Sequence, residues 1–172
     1  LALRPMTEME FEKAARGSSV GGANARTYPW GDADVGTDTY TYNDGSGNAT
    51  YRKYYAVFNN QPARPADVGH YLRGDIARTN EQTGASSYGV TDLAGNDWEH
   101  LINCAWTQVP ANGAGSLSVP ASWPGASAGK GLRGGSWDYA ASGLRVSDRS
   151  GAGYTNATRY GTVGFRPART AD

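Results

Sequence analysis

From Gly131 to Arg169 the chain carries no hydrophobic repeat, helical or strand-like, long enough to define a core face, and that limits what this stretch can become. Two short blocks near its ends, Leu132-Arg133-Gly134-Gly135-Ser136-Trp137 and Val163-Gly164-Phe165-Arg166, read as buried strand ends with glycines where another backbone comes close. Between them stand Asp138, Tyr139, Ser142, Asp148, Ser150, Gly151, Tyr154, Asn156, Tyr160, Gly161 and Thr162. These are polar, small and aromatic residues in no period, so a displayed surface between two fixed posts is expected. The alphabet agrees: from Gly131 to Asp172 there is no Lys, Glu, Gln, His, Ile, Met or Cys, while Tyr, Ser, Gly, Asn, Thr and Arg recur. Tyr supplies broad amphipathic contact at low rotamer cost and Ser, Gly and Asn supply adaptable hydrogen bonds, the mixture of an antibody paratope. A Gly-rich linker between strands would share this composition.

A chain of 172 residues can bury one substantial core, and a single domain spanning 1–172 is expected. Sixteen basic residues balance sixteen acidic ones, so no net field favours nucleic acid or an anionic membrane. Thirteen of the basic residues are Arg and three are Lys, which favours planar forks on carboxylates and carbonyls over diffuse solubilising charge. The arginines are therefore expected as internal braces. The single cysteine, Cys104, excludes a disulfide within these residues and a Cys-based zinc cluster; among Ile102, Asn103, Ala105 and Trp106 it reads as a small buried hydrophobe. No apolar run reaches membrane-spanning length and no signal peptide is visible, so no direct membrane insertion is expected.

Local signals place a helix over Thr7 to about Arg16. Thr7 and Glu10 form a capping box, Met6 and Phe11 sit at staple positions, and Gly17 can end the helix. Tyr28-Pro29-Trp30-Gly31-Asp32 reads as an aromatic turn pinned to the core. Residues 37–56 can form an irregular hairpin around Asn43-Asp44-Gly45. Asp32, Asp34 and Asp38 are spaced loosely like a calcium loop, but Gly36 and Asn43 stand where oxygen ligands belong, so a solvated turn is expected. Pro62 to Gly69 reads as an extended connector, and Tyr88 to His100 as a tight turn entering a buried strand. Within it, Asn96 and Glu99 could offer oxygens to calcium, or Asn96 could cap the turn while Glu99 pairs with a core Arg. Residues 107–130 are a Gly, Ser, Ala and Pro stretch with one anchor candidate, Trp123, and no repeat of solenoid period appears.

Four blocks, in order, resemble the formylglycine-generating enzyme and sulfatase-modifying-factor family. They are Leu3-Arg4-Pro5-Met6-Thr7-Glu8-Met9-Glu10-Phe11-Glu12-Lys13-Ala14-Ala15-Arg16-Gly17, Tyr28-Pro29-Trp30-Gly31-Asp32, Gly89-Val90-Thr91-Asp92-Leu93-Ala94-Gly95-Asn96-Asp97-Trp98-Glu99, and Arg133-Gly134-Gly135-Ser136-Trp137 with Gly164-Phe165-Arg166. The resemblance implies an α+β, C-type-lectin-like fold, irregular and loop-rich with a small antiparallel sheet, whose N-terminal portion is missing or cut from these residues. It also implies calcium near the block holding Asn96 and Glu99, and an oxidase that uses two copper-binding cysteines just beyond the Gly-Gly-Ser block. Here that segment reads Trp137-Asp138-Tyr139-Ala140-Ala141-Ser142-Gly143-Leu144, without a thiol. No enzyme activity and no required cofactor are expected, with Ca2+ the one candidate ion.

The tail further resembles the variable region of diversity-generating retroelement target proteins, whose asparagine-rich template is copied with substitutions at adenines. Changing the two adenines of AAC never yields Lys, Glu, Gln, Met or Trp, and the eleven candidate contact residues named above obey that restriction. Arg145, Val146, Ser147, Arg149 and Arg159 resemble the fixed frame of such regions. The resemblance implies a non-enzymatic protein whose region 131–169 binds a protein or other macromolecule on a cell or host surface, and not nucleic acid. Tyr139, Tyr154 and Tyr160 would be anchors, supported by buried Trp98 and Trp137 and by Arg forks on loop carbonyls. Two alternatives remain: a residual enzyme using Asp138, Asp148, His70 or His100, and a fixed lectin-like domain without diversification.

Overall fold

The computed structural model describes residues 3–17, 27–36, 38–43, 48–53, 55–61, 63–69, 71, 82–102, 130–154 and 158–169. Strand β1 (Leu3–Thr7) runs straight into helix α1 (Glu8–Arg16). Thr7 begins the helix because its hydroxyl accepts the Glu10 amide at 3.1 Å while the Glu10 carboxylate accepts the Thr7 amide at 2.9 Å. Such a cap is worth about 1 kcal/mol. Arg4 forks onto the same carboxylate at 2.7 and 2.5 Å, holding it down to a pKa of about 2. At the other end Gly17 takes φ 68°, and its amide closes on the Lys13 carbonyl at 2.9 Å.

A hairpin of β2 (Asp38–Asn43) and β3 (Asn48–Lys53) forms its own two-stranded sheet, with Tyr40 opposite Tyr51. The main sheet is built on β4 (Trp98–Ile102). Along one edge β5 (Lys130–Arg133) runs antiparallel, with Glu99 opposite Arg133. Along the other, β6 (Val163–Gly164) and β1 both run parallel to β4, through Trp98↔Val163 and Met6↔Leu101, and β7 (Pro167–Arg169) lies antiparallel outside β1. The sheet is therefore mixed, which corrects the expected antiparallel one. Parallel neighbours need a long crossover, and the long excursion between α1 and β4 supplies it.

Residues opposite each other in an antiparallel pair point to the same face. Glu99, Leu101 and Arg133 thus look toward α1, while Trp98, His100 and Leu132 look away from it. On the helix side Met6, Phe11, Ala15, Leu93, Leu101, Val146 and Ala152 form one core, each buried Leu or Phe side chain contributing about 1.5–3 kcal/mol. A second core is aromatic: Tyr28 stacks on Trp30 at 4.9 Å, against Ala56, Phe58, Ala94 and Leu144. The Tyr28 hydroxyl donates to the Ala141 carbonyl at 3.2 Å and the Trp30 indole to the Asp34 carbonyl at 2.8 Å, so the aromatic turn is pinned as expected. Asp32 and Asp34 spend their carboxylates on amides of the same turn, those of Ala33, Asp34 and Gly36.

The arginines are braces. Arg133, 1% exposed, lies over the Phe11 ring and pairs with Glu12 at 2.8 Å and Glu8 at 3.2 Å. Its remaining donors reach the Val146 and Asp148 carbonyls, each at 2.5 Å. Arg149 adds a second cation to Glu8 and Glu12, and Arg166 holds the Thr91 and Asp92 carbonyls at 3.0 Å each. Removing Arg133, the fully buried member, costs about 3–5 kcal/mol, because its two carbonyl partners and much of the Glu8 and Glu12 charge lose their counterpart.

Candidate functional site

On the sheet face turned away from α1, the loops between β5 and β6 border an open hollow of about 250 Å³. Its floor is Trp98, Leu132 and Val163, one residue from each of three strands. Tyr139, Tyr154 and Tyr160 form the walls, and Ser150, Gly151 and Thr162 complete the lining. Tyr139 stands edge-on to Trp98 at 5.0 Å and Tyr154 edge-on to Tyr160 at 6.4 Å. Tyr139 remains 39% and Tyr160 47% exposed, so both offer ring surface to solvent. The Tyr154 phenol titrates above its ordinary range, chiefly through lost contact with water and then through Tyr160 beside it.

The loops are held by their main chain. The carbonyl of Tyr139 accepts from the Asn59 amide at 2.8 Å, that of Thr162 from the Trp98 amide at 2.8 Å, and that of Tyr160 from the Val163 amide at 3.3 Å. The Gly151 carbonyl takes the Leu132 amide at 2.8 Å, the Gly161 carbonyl takes the Trp137 indole at 3.2 Å, and the Asp148 carbonyl takes Arg133. A main-chain carbonyl is present whatever the side chain, so these bonds do not depend on which residue is displayed.

Six of the residues singled out from the sequence, Tyr139, Ser150, Gly151, Tyr154, Tyr160 and Thr162, meet at this hollow. Asp138, Ser142, Asp148 and Gly161 lie on the same loops without lining it, and Asn156 lies outside the described residues. Asp138 accepts from the Ser136 hydroxyl at 2.5 Å, and Asp148 from the Ser150 hydroxyl at 2.6 Å. The two glycines differ. A Cβ on Gly161 would meet nothing within 4 Å, whereas one on Gly151 would stand 2.8 Å from the Leu132 carbonyl oxygen. Gly151 lines the hollow, and a side chain there would require the loop or Leu132 to shift. Trp137, expected buried, is only partly so, since its indole reaches out to the Gly161 carbonyl. The floor residues Leu132 and Val163 were not anticipated. Alternation along β4, with Glu99 facing the helix, is the signal that turns Trp98 toward the hollow.

The calcium candidates are committed elsewhere. Asn96, at φ 66°, accepts the Ala66 amide on its side-chain oxygen at 2.7 Å and returns its own amide to the Ala66 carbonyl at 3.0 Å. Glu99 receives Arg166 at 2.5 Å, so a cation already faces it. Burial nonetheless pushes the Glu99 pKa up to about 7, with Arg166 opposing and Asp92 reinforcing the rise. Burial, and after it Asp138, likewise raises Asp97. A hard dication needs several converging oxygens. Asn96 has its side-chain oxygen and amide engaged by Ala66 and Glu99 one of its two oxygens engaged by Arg166, and among the described residues no group of three His, Cys, Asp or Glu side chains is placed to hold a metal. His70 and Cys104, like residues 107–129 with Trp123, lie outside the described residues. Among the described residues no helix is long and apolar enough to cross a membrane.

Fold and site together define a loop-rich α+β domain with a small mixed sheet, a helix on one face and an aromatic hollow on the other. Residues 3–171 match the family of the sulfatase-modifying factor enzyme 1-like domain, and the chain belongs to that family. No curated protein matches the sequence significantly.

Proposed function

We propose that this chain is a non-catalytic member of its family: a C-type-lectin-like frame whose region 131–169 is diversified by a retroelement and binds a macromolecular ligand, with no required cofactor. The observation that carries the reading is the main-chain anchoring of the displayed loops, which lets Tyr139, Asp148, Tyr160, Gly161 and Thr162 change side chain while their carbonyl bonds persist. A binding face renewed by substitution needs that separation between contact and support. Tyr139, Tyr154 and Tyr160 supply ring area, and Asp138, Ser142, Asp148, Ser150 and Thr162 set polarity around it. The family's copper chemistry has no ligands here: Trp137 to Leu144 contains no thiol, and Cys104 is the sole cysteine. Soft thiolates are what select Cu(I).

The decisive experiment is deep sequencing of sibling copies of this gene in one population. Substitutions concentrated at the codons for Asp138, Tyr139, Ser142, Asp148, Ser150, Tyr154, Asn156, Tyr160, Gly161 and Thr162, with Arg133, Val146 and Arg149 constant, are expected. Copies identical across those codons overturn the proposal. Turnover of a cysteine-containing peptide by the purified protein overturns its non-catalytic part.

A further inference from the structure

We infer that the hollow is an anchor pocket for one arginine side chain projecting from a protein ligand. This rests on the binding reading above and adds the chemistry of the group received. The first ground is size. About 250 Å³ lies below the roughly 300–1,000 Å³ of sites that enclose a whole small molecule, but it admits one long side chain, so the rest of the ligand must bind outside. The second is the wall. Trp98, Tyr139, Tyr154 and Tyr160 present ring faces and edges to one space, and a guanidinium stacks on such rings more readily than an ammonium because it is planar and weakly hydrated.

The third ground is charge. Asp148 accepts from the lining hydroxyl of Ser150 at 2.6 Å, and Asp138 adjoins the wall residue Tyr139 in the chain. Arg133 and Arg149 both point back to Glu8 and Glu12, while Arg145 and Arg159 are exposed and do not line the hollow. An aromatic space with no cation in its lining and a carboxylate one hydrogen bond behind its lining hydroxyl is complementary to a cation. Ser150 and Thr162 add acceptor oxygens for guanidinium N–H groups, which have no acceptor character themselves.

The test is a titration of the whole protein with N-acetyl-arginine amide, read by tryptophan fluorescence and by the NMR signals of Trp98 and Tyr160. N-acetyl derivatives of citrulline, lysine and norleucine amide serve as comparators. Arginine amide is expected to act at concentrations at least about five-fold lower than citrulline amide, its uncharged near-isostere, and to weaken as salt rises. Asp148→Asn, which keeps the oxygen that accepts from Ser150, is expected to weaken arginine about three-fold and leave citrulline unchanged. Tyr139→Ala with Tyr160→Ala is expected to abolish the response while circular dichroism shows a folded chain. Equal binding of arginine and citrulline, tighter binding of lysine or norleucine, or no response to arginine overturns the inference. Any of these results from a folded protein leaves the display reading intact, because that reading stands or falls on sequence variation among sibling genes.

Discussion

Gly151 and Gly161 stand ten positions apart on one displayed region, and substitution to Ala should separate them sharply. At Gly151 the new Cβ would sit 2.8 Å from the Leu132 carbonyl oxygen and 2.9 Å from the Leu132 Cβ, closer than real Cβ atoms approach such neighbours. The loop cannot simply back away, because the Gly151 carbonyl is bonded to the Leu132 amide at 2.8 Å on the outer edge of β5. Overpacking of this kind costs about 1–3 kcal/mol, and a weakened hydrogen bond about 1 more. For a domain of this size each kcal/mol moves Tm by roughly 2–4 °C, so Gly151→Ala should lower it by about 4–16 °C. At Gly161 the added methyl meets open space, and the expected change is within about 0.5 kcal/mol, or roughly 2 °C. Thermal unfolding by circular dichroism, checked for two-state behaviour by calorimetry, measures both. Equal losses at the two positions, or none at Gly151, would refute the claim that steric room, and not membership of the displayed region, decides which positions can vary.

Three further outcomes are expected. Glu99 holds a proton to about pH 7 in the fold and to about 4.5 when unfolded, so stability should fall as pH rises from 4.5 through 7; the Tm–pH profile of Glu99→Gln should lack that fall, and parallel profiles would refute the assignment. Replacing Tyr139, Tyr154 and Tyr160 together by Ala should abolish ligand binding with a small loss of Tm, most of it from the Tyr139–Trp98 edge contact, worth about 1 kcal/mol; loss of the folded state would place these rings in the core. Chelation should leave Tm unchanged within about 1 °C, because the Asn96 oxygen already holds the Ala66 amide; a drop of several degrees would show a structural ion.

The helix was legible because every signal for it lies within a few residues: the Thr7–Glu10 box, Met6 beside Phe11, and Gly17 at the end. The strands flanking it were not. β1 is Leu3-Arg4-Pro5-Met6-Thr7, which does not alternate cleanly, and β7 is three residues long, so both owe their form to partners far away in the chain. The same division holds at the site. The tyrosines of the wall and Ser150 beside them were readable from the residue alphabet of 131–172, because composition follows what a surface must contact. The floor brings Trp98, Leu132 and Val163 from three separate strands, a convergence set by sheet register that no local pattern carries. Asn96 and Glu99 show the converse: their spacing allowed a calcium pair, yet Ala66 took the Asn96 side-chain oxygen and Arg166 one of the two Glu99 oxygens.

The excess of arginine over lysine now has a structural reason. A single guanidinium at Arg133 spans from Glu8 and Glu12 on the helix to the Val146 and Asp148 carbonyls on the displayed loop. An ammonium has three donors on one atom and could not face both ways at once. The helix therefore fixes the loop through main-chain oxygens by way of Arg133 and through the one loop side chain Arg149, and Asp148 keeps its carboxylate for Ser150 at the margin of the hollow. Support enters from the buried side, through carbonyls common to all residues and through the fixed side chains of Leu144, Val146, Arg149 and Ala152. Recognition is left to side chains on the other, and the boundary between the two roles falls within individual residues, at the bond from Cα to Cβ. Gly151, whose Cα lies against β5 itself, is the place where that boundary has no room to form.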